Sequence, residues 1–142
     1  GLEFTRRRQA DAWYSRDAIA CFLALSSLDD LDLSRVYMLG HSMGAAITLR
    51  AIQALGPRVR AAAVWSASSD GGAVELSVPL SIQHSEGDSS TSVAISTELA
   101  AQLDAAGSSY QLKIYPGEDH LFTGQDFDDA VARDLSWFER HR

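Results

Sequence analysis

Gly40-His41-Ser42-Met43-Gly44 lies between the apolar run Val36-Tyr37-Met38-Leu39 and the stretch Ala45-Ala46-Ile47-Thr48-Leu49. The order predicts a strand, a G-x-S-x-G turn and a helix. A serine at a sharp strand-to-helix turn needs small neighbours, because the backbone there is strained and packs tightly. Gly40 and Gly44 are expected to supply that smallness. The turn lifts the Ser42 hydroxyl out of the sheet and points the backbone N–H of Met43 at whatever binds it. The stretch therefore offers a candidate nucleophile and one candidate oxyanion donor together.

Outward from this turn, helices and strands alternate. Asp11 to about Leu28 predicts an amphipathic helix, with Tyr14, Ala18, Ile19, Phe22, Leu23 and Leu25 at helical spacing. The helix after Ser42 should end near Leu55, stopped by Gly56-Pro57. Buried strands are expected at Val59 to Trp65 and from Leu80 to His84, the second opened by Pro79. Between them, Ser66 to Gly72 is a small-residue loop that either borders the site or simply crosses over. A helix carrying Val93, Leu99, Ala100 and Leu103 stops at Gly107. A strand spans Tyr110 to Tyr115, and Asp126 caps a last helix with Phe127, Val131, Leu135 and Phe138 on its apolar face. Strands alternating with helices imply a parallel sheet with right-handed crossovers. Sites on such sheets form outside the carboxyl ends of the strands.

Reactive groups follow three of the four strands. Ser42 follows the first, His84-Ser85-Glu86-Gly87-Asp88 closes the third, and Tyr115-Pro116-Gly117-Glu118-Asp119-His120 closes the fourth. Serine needs a base at neutral pH. His120 can accept its proton and return it to a leaving group, and Asp88 can orient the imidazole. Glu86, Glu118 and Asp119 compete as acids but read as loop charges or cap partners. A metal trio of His84, Asp88 and His120 is the weaker reading, so no metal and no organic cofactor is expected. His84 reads as a loop anchor and His141 as a solvated tail residue. His41 faces the elbow, as a structural residue or part of the substrate wall. Phe122, just after His120, is expected to wall the substrate pocket. Trp65 and Trp137 read as core aromatics, and Trp13 is left open between a pocket wall and an edge cover.

These three motifs resemble the α/β-hydrolases, and among them the prolyl-oligopeptidase-like and dienelactone-hydrolase-like branch. That branch shows a G-x-S-x-G elbow, an H-G-x-x-D loop and a Y-P-x-x-x-H loop. Here they correspond to Gly40 to Gly44, His84 to Asp88 and Tyr115 to His120, in the chain order Ser, Asp, His. Ser85 stands where the branch usually has Gly, and Ala45 where a second Gly is common. The resemblance covers about residues 11–142 and only the C-terminal half of the fold. It implies a truncated α/β-hydrolase-like sandwich, one domain of about four parallel strands flanked by helices. It also implies a serine hydrolase of small-molecule carboxylic esters. In the family the second oxyanion N–H comes from the loop after the third strand, which has no counterpart here. The first strand would lose its family neighbour, so a homodimer covering the open edge, or a rearranged N-terminal helix, is expected. A weak or inactive relic acting as an interaction module, a peptidase and a lactone hydrolase are the alternatives. Dienelactone-type enzymes usually carry Cys at the nucleophile, which separates Ser42 from that variant.

Bulk properties bound the rest. The 142 residues, 46% hydrophobic and 22% charged, fit one globular domain. A net charge of −7 argues against non-specific nucleic-acid binding, and the run Arg6-Arg7-Arg8 reads as a solvated helix end or tail. The single Cys21 permits no internal disulfide and is expected to be a buried thiol beside Ile19 and Phe22. No membrane span or signal peptide is read, and a cytoplasmic location is the default expectation. Residues 1–10, which begin without methionine, are expected to be a tail or a cut or processed end.

Overall fold

In a computed structural model the protein forms a three-layer α/β sandwich, described over residues 2–72 and 76–142. The side chains before Trp13, including Arg6-Arg7-Arg8, lie outside the described residues. The order is α1 (Leu2–Leu25), β1 (Tyr37–His41), α2 (Met43–Leu55), β2 (Ala61–Trp65), β3 (Leu80–Ser85), α3 (Val93–Ala105), β4 (Tyr110–Tyr115) and α4 (Gly124–Arg140), with a 3₁₀ turn at Gly56–Arg58. All strands are parallel in the order β1-β2-β3-β4. Four parallel strands in one sheet with four helices are the truncated α/β-hydrolase-like fold that the motifs imply. Among the described residues no helix is long and apolar enough to cross a membrane.

The two faces of the sheet are covered by different helices. Leu49, Ile52 and Leu55 of α2 and Leu99 and Leu103 of α3 bury against Ala62, Val64, Leu80 and Ile82, with Ile19 and Phe22 of α1 joining them. On the other face α4 meets Trp65, Tyr115 and Phe122 through Ala130. Trp65 and Trp137 are both buried, as core aromatics.

Several expectations need correcting. The first helix begins at Leu2 rather than Asp11 and ends at Leu25. Cys21 is exposed, not buried. Two residues on from Ile19 is about 200° around a helix, so the core-facing side of α1 excludes it. The α4 cap is Thr123, and Asp126 sits in the first turn, where its charge still suits the helix dipole. The buried stripe of α4 is Ala130, Asp134 and Trp137, while Phe127 and Leu135 are exposed. His141 is half-buried rather than solvated, its ring 4.3 Å from that of Trp137.

The stripe moves because α4 packs over β2 and β3, with its apolar flank turned toward β1. Phe138 on that flank stacks on Tyr37 of β1 at 4.8 Å. Leu39 of β1 is 52% exposed. The N–H of Ser42 bonds Trp65 O and that of Arg60 bonds Val36 O. Even-numbered residues of β1 therefore turn their backbone groups to β2. Tyr37, Leu39 and His41 turn theirs to the open edge.

Candidate active site

The elbow is built on a strained serine. Ser42 sits at φ 56° and ψ −119°, a region L-residues enter only when the surroundings hold them there. The restraints are backbone bonds. Ser42 N–H donates to Trp65 O at 2.9 Å, and Ser42 O accepts from Ala45 N–H at 3.1 Å. The crossover loop adds two more, since Ser68 donates to Ser42 O from its N–H at 3.3 Å and its hydroxyl at 3.2 Å. The 66–72 loop thus braces the elbow. Met43 is the first residue of α2, so its N–H has no intrahelical acceptor.

The two glycines of the motif are not equivalent. A Cβ on Gly40 would lie 2.2 Å from Gly44 O and 2.5 Å from Thr48 Oγ1. Among the described residues a Cβ on Gly44 would meet nothing within 4 Å. Among them, smallness is required at Gly40 and not at Gly44.

His120 is carried above the elbow by the loop after β4. Its Nδ1 lies 2.7 Å from Asp88 Oδ2. The neighbouring His41 reaches across, its Nε2–H donating to His120 O at 2.8 Å, with the rings 4.7 Å apart. His41 therefore ties the His120 loop to the residue beside Ser42. His120 keeps 27% of its side chain exposed, whereas the Asp88 side chain has none. Among the described residues Ser42 Oγ has no hydrogen bond to His120; such contacts are often long without substrate and tighten on binding.

Asp88 is held ionised. Burial would raise its pKa, but bonds from His120, from the N–H groups of Thr91 and Ser90 and from the Thr91 hydroxyl outweigh it, bringing the carboxyl to about 2. His84 fills the space beneath, fully buried, with Nδ1 at 2.7 Å from Ser96 Oγ and Nε2 at 3.1 Å from Thr91 O. Burial lowers its pKa against the opposing pull of Thr91 O and Asp88. Glu86 and Glu118 stay exposed, and Asp119 accepts from the Thr123 hydroxyl at 2.9 Å.

Phe122 does not wall an open pocket. It is 3% exposed and lies between Trp65 (5.3 Å) and Tyr115 (4.9 Å), so it anchors the His120 loop from below. Trp13 is 67% exposed. Beneath Trp65, the buried Asp134 accepts from Trp65 Nε1–H at 2.7 Å and from the Ser81 hydroxyl and Gln83 Nε2–H, both at 2.7 Å. Burial raises the Asp134 pKa against those three bonds. Sequence reading missed Asp134 and Thr91 and gave Ser68 no role beyond its loop. Only Thr91 left a local signal: an aspartate followed by Ser-Ser-Thr is a turn in which the carboxylate takes N–H groups two and three residues on.

With this geometry in hand, the chain matches the dienelactone hydrolase family over residues 4–140. The chain belongs to the dienelactone hydrolase family. It therefore groups with hydrolases of the α/β-hydrolase fold. Comparison with curated protein sequences gave no match. Among solved structures it is similar to a Porphyromonas gingivalis dipeptidyl peptidase 4, with a TM-score of 0.81 and 16% identity over 90% of this chain and 22% of that one. It is also similar to Arabidopsis thaliana SOBER1, at 0.75 and 18% over 94% of this chain and 65% of that one. A third is a putative dienelactone hydrolase from Klebsiella pneumoniae, at 0.74 and 22% over 91% of this chain and 61% of that one. At these identities the likeness is one of fold, and the chain spans less than two thirds of each of these structures. In this chain Ser42 of the motif occupies a strained turn, and the partnered Asp88–His120 pair lies on the same sheet edge.

The two buried aspartates of this family member set opposite pH dependences. Folding lowers the Asp88 pKa to about 2, from about 3.9 in an unfolded chain. Its stabilisation is complete above the unfolded value and is lost as pH falls through the folded one. Folding raises the Asp134 pKa, so its penalty applies above the raised value and is relieved as pH falls through it. Urea unfolding at about pH 7, 4 and 2 is expected to show wild type losing stability between the last two points. Asp88→Asn should be less stable at neutral pH but flatter over that interval. Parallel losses in the two proteins would remove Asp88 as the cause.

Proposed function

We propose that this chain is a serine hydrolase cleaving carboxylic esters through an acyl-enzyme. The observation that carries the reading is the strained Ser42 on the same sheet edge as a His120 whose Nδ1 is bonded to an ionised Asp88 at 2.7 Å, with His41, next to Ser42, bonded to His120 O. Asp88 keeps the proton on His120 Nδ1, leaving Nε2 as the free base. Nε2 takes the Ser42 proton as Oγ attacks the substrate carbonyl carbon. The Met43 N–H receives the developing oxyanion. Collapse expels the alcohol, protonated by His120 Nε2, and leaves an ester on Ser42. Water, deprotonated by the same nitrogen, then releases the acid and restores Ser42. Asp88 stays ionised throughout and stabilises the imidazolium. Ester cleavage is favoured over amide cleavage because an alkoxide leaves more readily than an amine and needs less acid help. No metal or organic cofactor enters these steps. A fluorophosphonate probe tests the reading: it should label wild type at Ser42, and an unlabelled, folded protein would overturn it in favour of the interaction module.

We also propose a second copy of this chain at the open edge of β1. Tyr37, Leu39 and His41 are symmetric about Leu39, so two antiparallel β1 strands would satisfy each other's outward groups. Sedimentation at micromolar concentration should give twice the 15.4 kDa chain mass. Leu39→Pro, which removes only an outward-facing N–H, should return the single mass. A single-chain mass for wild type would remove the second copy.

A further inference from the structure

We infer that the Thr91 hydroxyl is a positioning group for the Asp88–His120 pair, fixing carboxylate Oδ2 on His120 Nδ1 from the end of β2. The inference rests on the serine-hydrolase reading for its effect on rate, though not for its geometry.

Backbone donors fix only one oxygen of Asp88. Oδ1 accepts the N–H groups of Ser90 at 2.8 Å and Thr91 at 3.0 Å. Oδ2 accepts from His120 Nδ1 at 2.7 Å and from Thr91 Oγ1 at 3.0 Å. Without the hydroxyl, the reacting imidazole itself would be the only strong donor to Oδ2. A base that must also orient its own orienter is poorly preorganised, because each small ring rotation then carries the carboxylate with it.

The hydroxyl is itself anchored. Besides Asp88 it has one other acceptor, the Ser66 carbonyl at 3.2 Å. Its single proton is shared between the two in a three-centre bond, stronger to the nearer, charged oxygen. Ser66 is fully buried at φ 46°, and among the described residues its own hydroxyl finds no partner. A strained, buried residue with an orphaned hydroxyl is held by its surroundings, so its carbonyl is a fixed wall against which Thr91 sits. Ser66 directly follows Trp65, whose carbonyl holds the Ser42 N–H. Thr91 thus references the acid–base pair to the same strand end that references the nucleophile. The titratable groups around the hydroxyl are Asp88, His120 Nδ1 at 3.4 Å and His84 Nε2 at 3.4 Å. His84 Nε2 also lies 3.4 Å from Asp88 Oδ2, but it is nearer Thr91 O at 3.1 Å, so the 3.0 Å hydroxyl is the closer second donor to Oδ2.

The test compares wild type, Thr91→Val, Thr91→Ser and Thr91→Ala. The readouts are fluorophosphonate labelling rate, kcat and KM on p-nitrophenyl acetate, and the low-field proton resonance of His120 Nδ1–H. Thr91→Val keeps the shape and loses the donor, so labelling and kcat should fall roughly tenfold with KM unchanged, the size expected for one bond to a charged group. The resonance should move or broaden. Thr91→Ser should restore both, and Thr91→Ala should repeat the loss, standing in should the valine variant not fold. Wild-type labelling and an unmoved resonance in Thr91→Val, or in Thr91→Ala in its place, would overturn the inference. If wild type takes no label, the serine-hydrolase reading fails, and the resonance alone then decides whether Thr91 holds Asp88.

Discussion

Ser42→Ala is expected to abolish fluorophosphonate labelling and to lower ester hydrolysis by a factor on the order of 10³ or more, the scale of removing a triad nucleophile. The fold should be indifferent to the change, because the bonds that shape the elbow use Ser42 backbone atoms. A second variant separates an enzyme from a relic. Glycine adopts φ 56° and ψ −119° without penalty, whereas serine there carries strain. Ser42→Gly should therefore gain roughly 1 kcal/mol of stability while losing labelling. A strained serine that stabilises the chain on replacement, and inactivates it, is the pattern of a site kept for chemistry. If Ser42→Ala still takes label, the nucleophile lies elsewhere and the proposed mechanism falls.

Gly40→Ala is expected to be the most destabilising small substitution in the motif. Its Cβ would sit 2.2 Å from Gly44 O and 2.5 Å from Gly44 C, both backbone atoms of the first turn of α2. Relief would require β1 and α2 to separate. The Ser42 N–H bond to Trp65 O and the burial of Ala45 and Leu49 oppose that movement. We expect a loss of about 3 kcal/mol or more, a large share of the roughly 5–15 kcal/mol of a typical domain, read as a lower urea midpoint. Gly44→Ala is the control. Among the described residues its Cβ meets nothing within 4 Å, and alanine is the better helix former by up to about 1 kcal/mol, so the midpoint should hold or rise. Equal losses at both positions would show that the motif is about chain flexibility rather than close approach.

Much of this architecture is local and therefore legible in the residues. Gly56-Pro57 ends α2, with Gly56 at φ 54°. Gly107, at φ 67°, follows α3 where a C-terminal stop is expected. Tyr110 to Tyr115 reads as a strand from alternation and forms β4 over those residues. Each of these depends on neighbours a few positions away. So does the elbow, since its strain follows from a short strand feeding directly into a helix.

What the sequence by itself determined is the order of elements and the arrival of a serine, acids and a histidine at one sheet edge. Sequence reading favours Asp88 as the acid for His120, but only tertiary structure supplies the contact and its physical reason. Glu118 and Asp119 are its chain neighbours, yet the bond goes to Asp88, because the parallel pairing of β3 with β4 sets those two loops side by side. Tertiary structure also decided that α4 buries Asp134 and exposes Leu135. Apolar spacing marks a stripe on a helix but not what lies opposite it. Here the sheet ends at β1, beneath the flank that the stripe marks. Donors from β2 and β3 wait where the polar residue falls, and a buried carboxylate with three hydrogen bonds satisfies them better than any apolar side chain could.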